Sequence, residues 1–159
     1  MHASNRRQAE RLRQEDPALD ISGLESALGF RLRMFEQAVM RSFARHMEPL
    51  ELTPSLYSIL VLIRDNPLCR QAELSQALNM HQPNLVDRVG LLIGRGLIVR
   101  QEDPADRRAN VLELSFAGRH FMDKVDAAHA AHADEVRGLL GAQRHDALVE
   151  GIPLSLPEG

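Results

Sequence analysis

The sequence is poor in aromatic rings and almost without cysteine. Only 4% of its 159 residues are aromatic, Trp is absent, and Tyr57 is the single tyrosine. A core with so few rings must be filled by Leu, Val, Ile, Ala and Met, which suits packed helices better than a β-sandwich. Cys69 is the single cysteine. It excludes an intrachain disulfide and fits a reducing compartment, so a cytoplasmic location is expected. Long apolar runs are missing as well. No stretch approaches the roughly 18 residues of a membrane span, and MHASNRRQAERLRQED at the start has no signal-peptide core. Charge of one sign is not in excess: the net charge is −3. That argues mildly against a protein coated in nucleic acid, although a local basic patch is enough for phosphate contacts. No phosphate loop or nucleophile arrangement occurs, so an enzyme is not expected, and no cofactor is implied.

What the chain does have is helical periodicity with clear punctuation. Hydrophobic residues are 44% and charged residues 26%, an ordinary globular balance in a chain of single-domain length. Residues 1–20 are polar, rich in Arg and Glu over the first 16, and read as a flexible arm. A long helix is expected over 21–50. Apolar residues recur there at Leu24, Leu28, Leu32, Phe35, Val39, Phe43 and Met47, and Phe30, Met34 and Met40 widen the stripe. LTPSLYSILVLIRDNP predicts a helix with Thr53 as N-cap, Pro54 in the first turn and Pro67 closing it. RQAELSQALNM predicts a short helix. HQPNLVDRVGLLIGRG predicts another, with Leu85, Val89 and Leu92 inside, Asn84, Asp87, Arg88, Leu91 and Arg95 outside, and Gly96 as its stop.

The period then changes. LIVRQ and NVLELS read as two antiparallel strands joined by EDPADRRA. A second long helix is expected from Phe116 to about Leu140, then a last helix ending at Pro153 and a tail over 153–159. The fold class is therefore mainly α with a small β-hairpin: a winged helix–turn–helix lobe over 53–115, framed by long helices over 21–50 and 116–152, within one domain spanning 21–152. In such a lobe the second of the paired helices fits a major groove, and the hairpin tip can reach an adjacent minor groove.

Three segments carry a resemblance. LTPSLYSILVLI, AELSQALNMHQPNLVDRV and RGLIVRQEDPADRRANVLELSFAGR together resemble the MarR family of bacterial transcriptional regulators, over about residues 52–119. The wing, GLIVRQEDPADRRANVLELSFAG, is the most specific part. The resemblance implies a homodimer paired through 21–50 and 116–152, double-stranded DNA with a pseudo-palindromic operator as partner, and repression relieved by a small ligand, often a phenolic or aromatic acid. It matches Asp106 and Arg108 to the family's aspartate and arginine. Asp106 would orient the guanidinium while Arg107 or Arg108 enters a minor groove, where negative potential is concentrated. Asp103 and Pro104 would shape the turn.

On the recognition helix, Gln82, Asn84 and Arg88 are the expected base readers, since Gln and Asn suit adenine and Arg suits guanine. Arg95 lies on the same outer side. Many relatives carry Thr-Arg midway along this helix, where the present chain has Val86-Asp87. Asp87 either accepts from a cytosine amino group or holds Arg88. Gly90 and Gly94 loosen the helix by roughly 1 kcal/mol each. The competing reading is a winged-helix protein-interaction module without specific DNA binding. Across 81–119 six arginines face five acids, so net charge alone does not choose between the two. HQPN as a plain helix cap and DPADRR as a solvated turn are the bland readings of the same segments.

Arg33, His46 and Tyr57 are the ligand candidates, polar handles set among apolar residues where an aromatic carboxylate would want a cation and a hydroxyl or imidazole. Against them, Arg33 reads equally as a surface residue and Tyr57 as core. His129 and His132, with His120 nearby, have the spacing for a metal, but helix packing or surface exposure explains them better, and no metal is expected. Cys69 reads as a small buried residue rather than a redox sensor.

Overall fold

Thr53 has the side-chain oxygen that an opening helix lacks, and Pro54 has the preset φ. The structure, a computed structural model describing residues 19–103 and 109–152, uses both: the Thr53 hydroxyl accepts from the Leu56 amide at 3.4 Å. In chain order the elements are α1 (Ser22–Glu25), α2 (Leu28–Met47), a 3-10 turn (Glu48–Leu50), α3 (Pro54–Asp65), α4 (Gln71–Ala77), α5 (Gln82–Gly94), β1 (Ile98–Glu102), β2 (Asn110–Leu114), α6 (Phe116–Leu140) and α7 (Ala142–Gly151). Among the described residues no helix is long and apolar enough to cross a membrane.

The continuous helix expected over 21–50 is instead three pieces. α1 is a single turn that stops at Ser26, and α2 begins at Leu28. Gly23, Ser26 and Gly29 are weak helix formers and account for the interruption. At the other end Pro49 lacks an amide proton, and the chain tightens into the 3-10 turn with Glu51 at φ 52°. The chain falls into two units, one through Ala38 and one from Val39 onward. In the first, Leu24, Leu28, Leu32 and Met34 are all between 43% and 70% exposed.

The second unit holds the core. Phe43 and Met47 of α2, Leu56, Ile59, Leu60 and Ile63 of α3, Leu74 of α4, Leu85, Val89 and Leu92 of α5, Ile98 of β1, Leu112 and Leu114 of β2, and Met122 and Val125 of α6 form one buried cluster. At 3.6 residues per turn, Leu85, Val89 and Leu92 share one face of α5, as the sequence indicates. The strands pair antiparallel with Ile98 opposite Leu114 and Glu102 opposite Asn110. A third segment joins the sheet edge, because the Leu112 amide donates to the Cys69 carbonyl at 2.9 Å.

Left-handed residues close both helices of the helix–turn–helix, Asn79 at the turn between them and Gly96 on the way to the wing. Asn79, at φ 46°, follows α4, and the amides of Asn79 and Met80 bond back to the Gln76 and Ser75 carbonyls. Gly96, at φ 69°, follows α5 with the same double closure: its own amide bonds Ile93 and the Leu97 amide bonds Leu92. Both are Schellman closures, for which Gly and Asn are the natural residues. Ser115 then caps α6 by accepting from the Gly118 amide at 2.8 Å, while its hydroxyl donates to the Gly96 carbonyl. Gly118 is required there, since a Cβ would stand 1.9 Å from the Leu97 carbonyl oxygen.

Candidate functional site

α5 presents a polar outer face, and its charges are arranged differently from the expectation. Gln82, Asn84 and Asp87 are exposed, and their side chains make no hydrogen bond or ion pair among the described residues. Arg88 is half-buried. Its Nε donates to Ser55 Oγ at 2.9 Å and its Nη1 to the Asn84 carbonyl at 3.0 Å, so it does not pair with Asp87. Arg95 also turns inward. It donates to the Leu50 and Glu51 carbonyls at 2.9 and 3.0 Å and lies over the Phe121 ring, 5.5 Å from its centroid. Helical periodicity put Arg95 on the outer side. Its long side chain instead satisfies carbonyls left open where the 3-10 turn ends.

The wing stem is tied to the helix–turn–helix by a pair that the sequence reading missed. Asp103, expected only to shape the turn, is 7% exposed and takes a hydrogen bond from Arg70 Nε at 2.9 Å, with a second contact from the same guanidinium. Its amide closes the stem by donating to the Ala109 carbonyl at 3.0 Å. Arg70 stands just before α4, and its own amide is capped by Glu73. Nothing in sequence links two residues 33 positions apart. Pro104, Asp106, Arg107 and Arg108 lie outside the described residues.

A second cluster lies where α2, α3 and α6 meet. His132 is 7% exposed, and its Nδ1 shares a 2.9 Å hydrogen bond with the Ser42 hydroxyl. His46 Nδ1 bonds the Ser42 carbonyl at 2.8 Å. The Tyr57 ring stacks on His129 with centroids 4.9 Å apart, and Phe43 meets Tyr57 and His132 edge-on. Arg45 pairs with Glu135 at the rim. Burial, then the neighbouring His129 and His46, hold the His132 imidazole below its ordinary value. Burial also raises the Tyr57 phenol. Of the ligand candidates, His46 and Tyr57 thus belong to one aromatic and imidazole cluster, whereas Arg33 is an exposed residue of the first unit. His129 and His132 pack as rings, in line with the helix-packing reading. His120 is exposed, 3.5 Å from Asp123. Cys69 is buried, and burial raises its thiol further from reactivity. Ser42 was missed because a lone serine in an amphipathic helix carries no signal without its partner.

A family model described as the MarR family matches residues 50–109. Among solved structures, the transcriptional repressor CouR bound to a 23-mer DNA duplex is similar with a TM-score of 0.78, at 34% identity over 84% of this chain and 95% of that one. The chain belongs to the MarR family. The same repressor bound to p-coumaroyl-CoA matches this MarR-family chain at 32% identity and a TM-score of 0.73, covering 84% and 94% of the two chains. A relative from Thauera aromatica, a putative transcriptional regulatory protein for the hcr operon, is 36% identical over 102 residues. That match takes in 64% of this chain, which spans 61% of the relative's length. The winged-helix architecture expected from the sequence is therefore the family's own.

Proposed function

We propose that this MarR-family chain is a cytoplasmic homodimeric repressor that binds a pseudo-palindromic DNA operator and is released by an aromatic acid or its coenzyme A thioester. The observation that carries the DNA-binding part is the outer face of α5. Gln82, Asn84 and Asp87 stand exposed on a well-packed helix that Gly96 closes, without partners among the described residues. Polar groups left open on a rigid scaffold are what base-edge recognition requires. Asp106, Arg107 and Arg108 complete the interface through minor-groove and phosphate contacts. Arg88 and Arg95 act mainly by holding α5 in place.

The dimer part draws on apolar side chains that a lone chain leaves in water, including Leu28 in the first unit and Leu139, Val149 and Ile152 in the second. The effector part draws on the cluster of Phe43, His46, Tyr57, His129 and His132, and on the thioester held by the related repressor.

The test is fluorescence anisotropy of the full chain on its own upstream intergenic DNA at two salt concentrations, with and without p-coumaroyl-CoA and free aromatic acids. Binding that weakens steeply with salt and is relieved by one compound is the expected result. Arg108→Ala should abolish it while the dimer stays folded, and Tyr57→Phe should blunt relief more than affinity. Binding no tighter than to random DNA would favour the protein-interaction reading, for which the inward-turned Arg88 and Arg95 already speak.

A further inference from the structure

A helix lying in a major groove has phosphates on either side and base edges along the groove floor. On α5 the arginines that would normally serve both are engaged with Ser55, Asn84, Leu50, Glu51 and Phe121. The middle of the exposed face is left to Val86 and Asp87, with Asn84 one turn before and Leu91 one turn after. Val86 is 43% exposed, although a β-branched apolar residue there contributes nothing to the core. A Cβ at Gly90, one turn beyond, would meet nothing within 4 Å among the described residues, so these give no packing reason for a helix-weakening glycine beside Asp87. The surface around the carboxylate is therefore open to a close approach.

We propose that Val86 and Asp87 form a base-reading pair at the middle of this helix, beside Gln82 and Asn84, with Asp87 accepting from the N4 amino group of a cytosine and Val86 packing on the C5 methyl of a neighbouring thymine. The inference rests on the DNA-binding reading above and deepens it. A carboxylate only accepts hydrogen bonds. Guanine shows it two acceptors, N7 and O6, and thymine shows it O4, so both repel it. The adenine N6 amino group lies between two acceptors, its own N7 and the O4 of the paired thymine. The cytosine N4 amino group has an acceptor on one side only, which leaves cytosine as the favoured partner. The alternative use of Asp87, holding Arg88, is not realised: that guanidinium is occupied elsewhere.

Iterative selection from random-sequence duplexes, run with the full chain and with Asp87→Asn and Val86→Ala, tests the assignment. Both positions are exposed, and thermal melts establish that the variants fold. The wild-type half-site should contain a cytosine position that relaxes or switches to adenine in Asp87→Asn while the other positions hold, with about a tenfold loss on the wild-type sequence. Replacing the neighbouring thymine by deoxyuridine should weaken the wild type and leave Val86→Ala unchanged. An Asp87→Asn variant that keeps the whole motif and binds every duplex more tightly would overturn the assignment and leave Asp87 as a repulsive charge. A wild type that enriches no motif would fail differently, by removing sequence-specific DNA binding itself and the assignment with it.

Discussion

The outer face of α5 and the seam between α2, α3 and α6 are both rich in polar side chains, and they use them in opposite ways. In the seam, His132 bonds Ser42, His46 bonds the Ser42 carbonyl, and Tyr57 stacks on His129. On α5, Gln82, Asn84 and Asp87 have no side-chain partner among the described residues. The difference is one of desolvation. A buried polar group must find a partner inside the fold, because an unmade hydrogen bond there costs about 1–3 kcal/mol. A group in water carries no such penalty and stays available to whatever the helix meets. Arg88 and Arg95 lie between the two regimes, half-buried and bonded to nearby carbonyls and a hydroxyl, and so belong with the scaffold.

A one-residue step around α5 separates scaffold from free surface. Leu92 is 0% exposed and Leu91 is 59% exposed. Leu92→Ala should cost about 2–5 kcal/mol in denaturant unfolding, whereas Leu91→Ala should stay within about 0.5 kcal/mol. Equal effects would mean that α5 is not anchored by the face described. Next in size, Arg95→Ala should lower stability by about 1–2 kcal/mol through the lost carbonyl bonds and ring contact. A loss of DNA affinity with unchanged melting would instead return Arg95 to the outer face.

The seam has a pH signature of smaller size. His132 is depressed below its ordinary 6.5, chiefly by burial. The unfolded chain therefore binds more protons than the folded one between that depressed value and 6.5. The His132 contribution is fully present above 6.5 and is lost as pH falls through that window. Melting temperature followed from about pH 7.5 to about pH 5.5 should drop less steeply in His132→Gln than in the wild type. Parallel slopes would remove His132 from the acid response. Asn84→Ala, like Leu91→Ala, should change stability by no more than about 0.5 kcal/mol, yet its affinity for a selected duplex should fall about tenfold.

Much of the fold was legible because its signals are local. The Thr53 cap, the prolines of the first turns, the Gly96 stop and the change from a period near 3.6 to a period of two all act over a few residues. The break before Leu28 was less legible, since an unbroken apolar stripe conceals where Gly23, Ser26 and Gly29 let the helix lapse. Long side chains were the least legible. Periodicity gives the direction of a Cβ, not where a guanidinium several bonds away finds its acceptor. Arg95 reaches residues 44 and 45 positions distant, and Arg70 reaches Asp103 across 33.

By itself, the sequence determined the winged helix–turn–helix order, the inner face of α5 and the family resemblance, because propensity, capping and hydrophobic spacing depend on near neighbours. Only the tertiary structure decided which polar groups the fold consumes. It tied Arg88 to Ser55, Arg95 to the turn after α2, Asp103 to Arg70 and His132 to Ser42, and it left Asp87 open. Satisfaction of a buried polar group depends on residues far apart in the chain meeting in space, and local sequence does not contain that information.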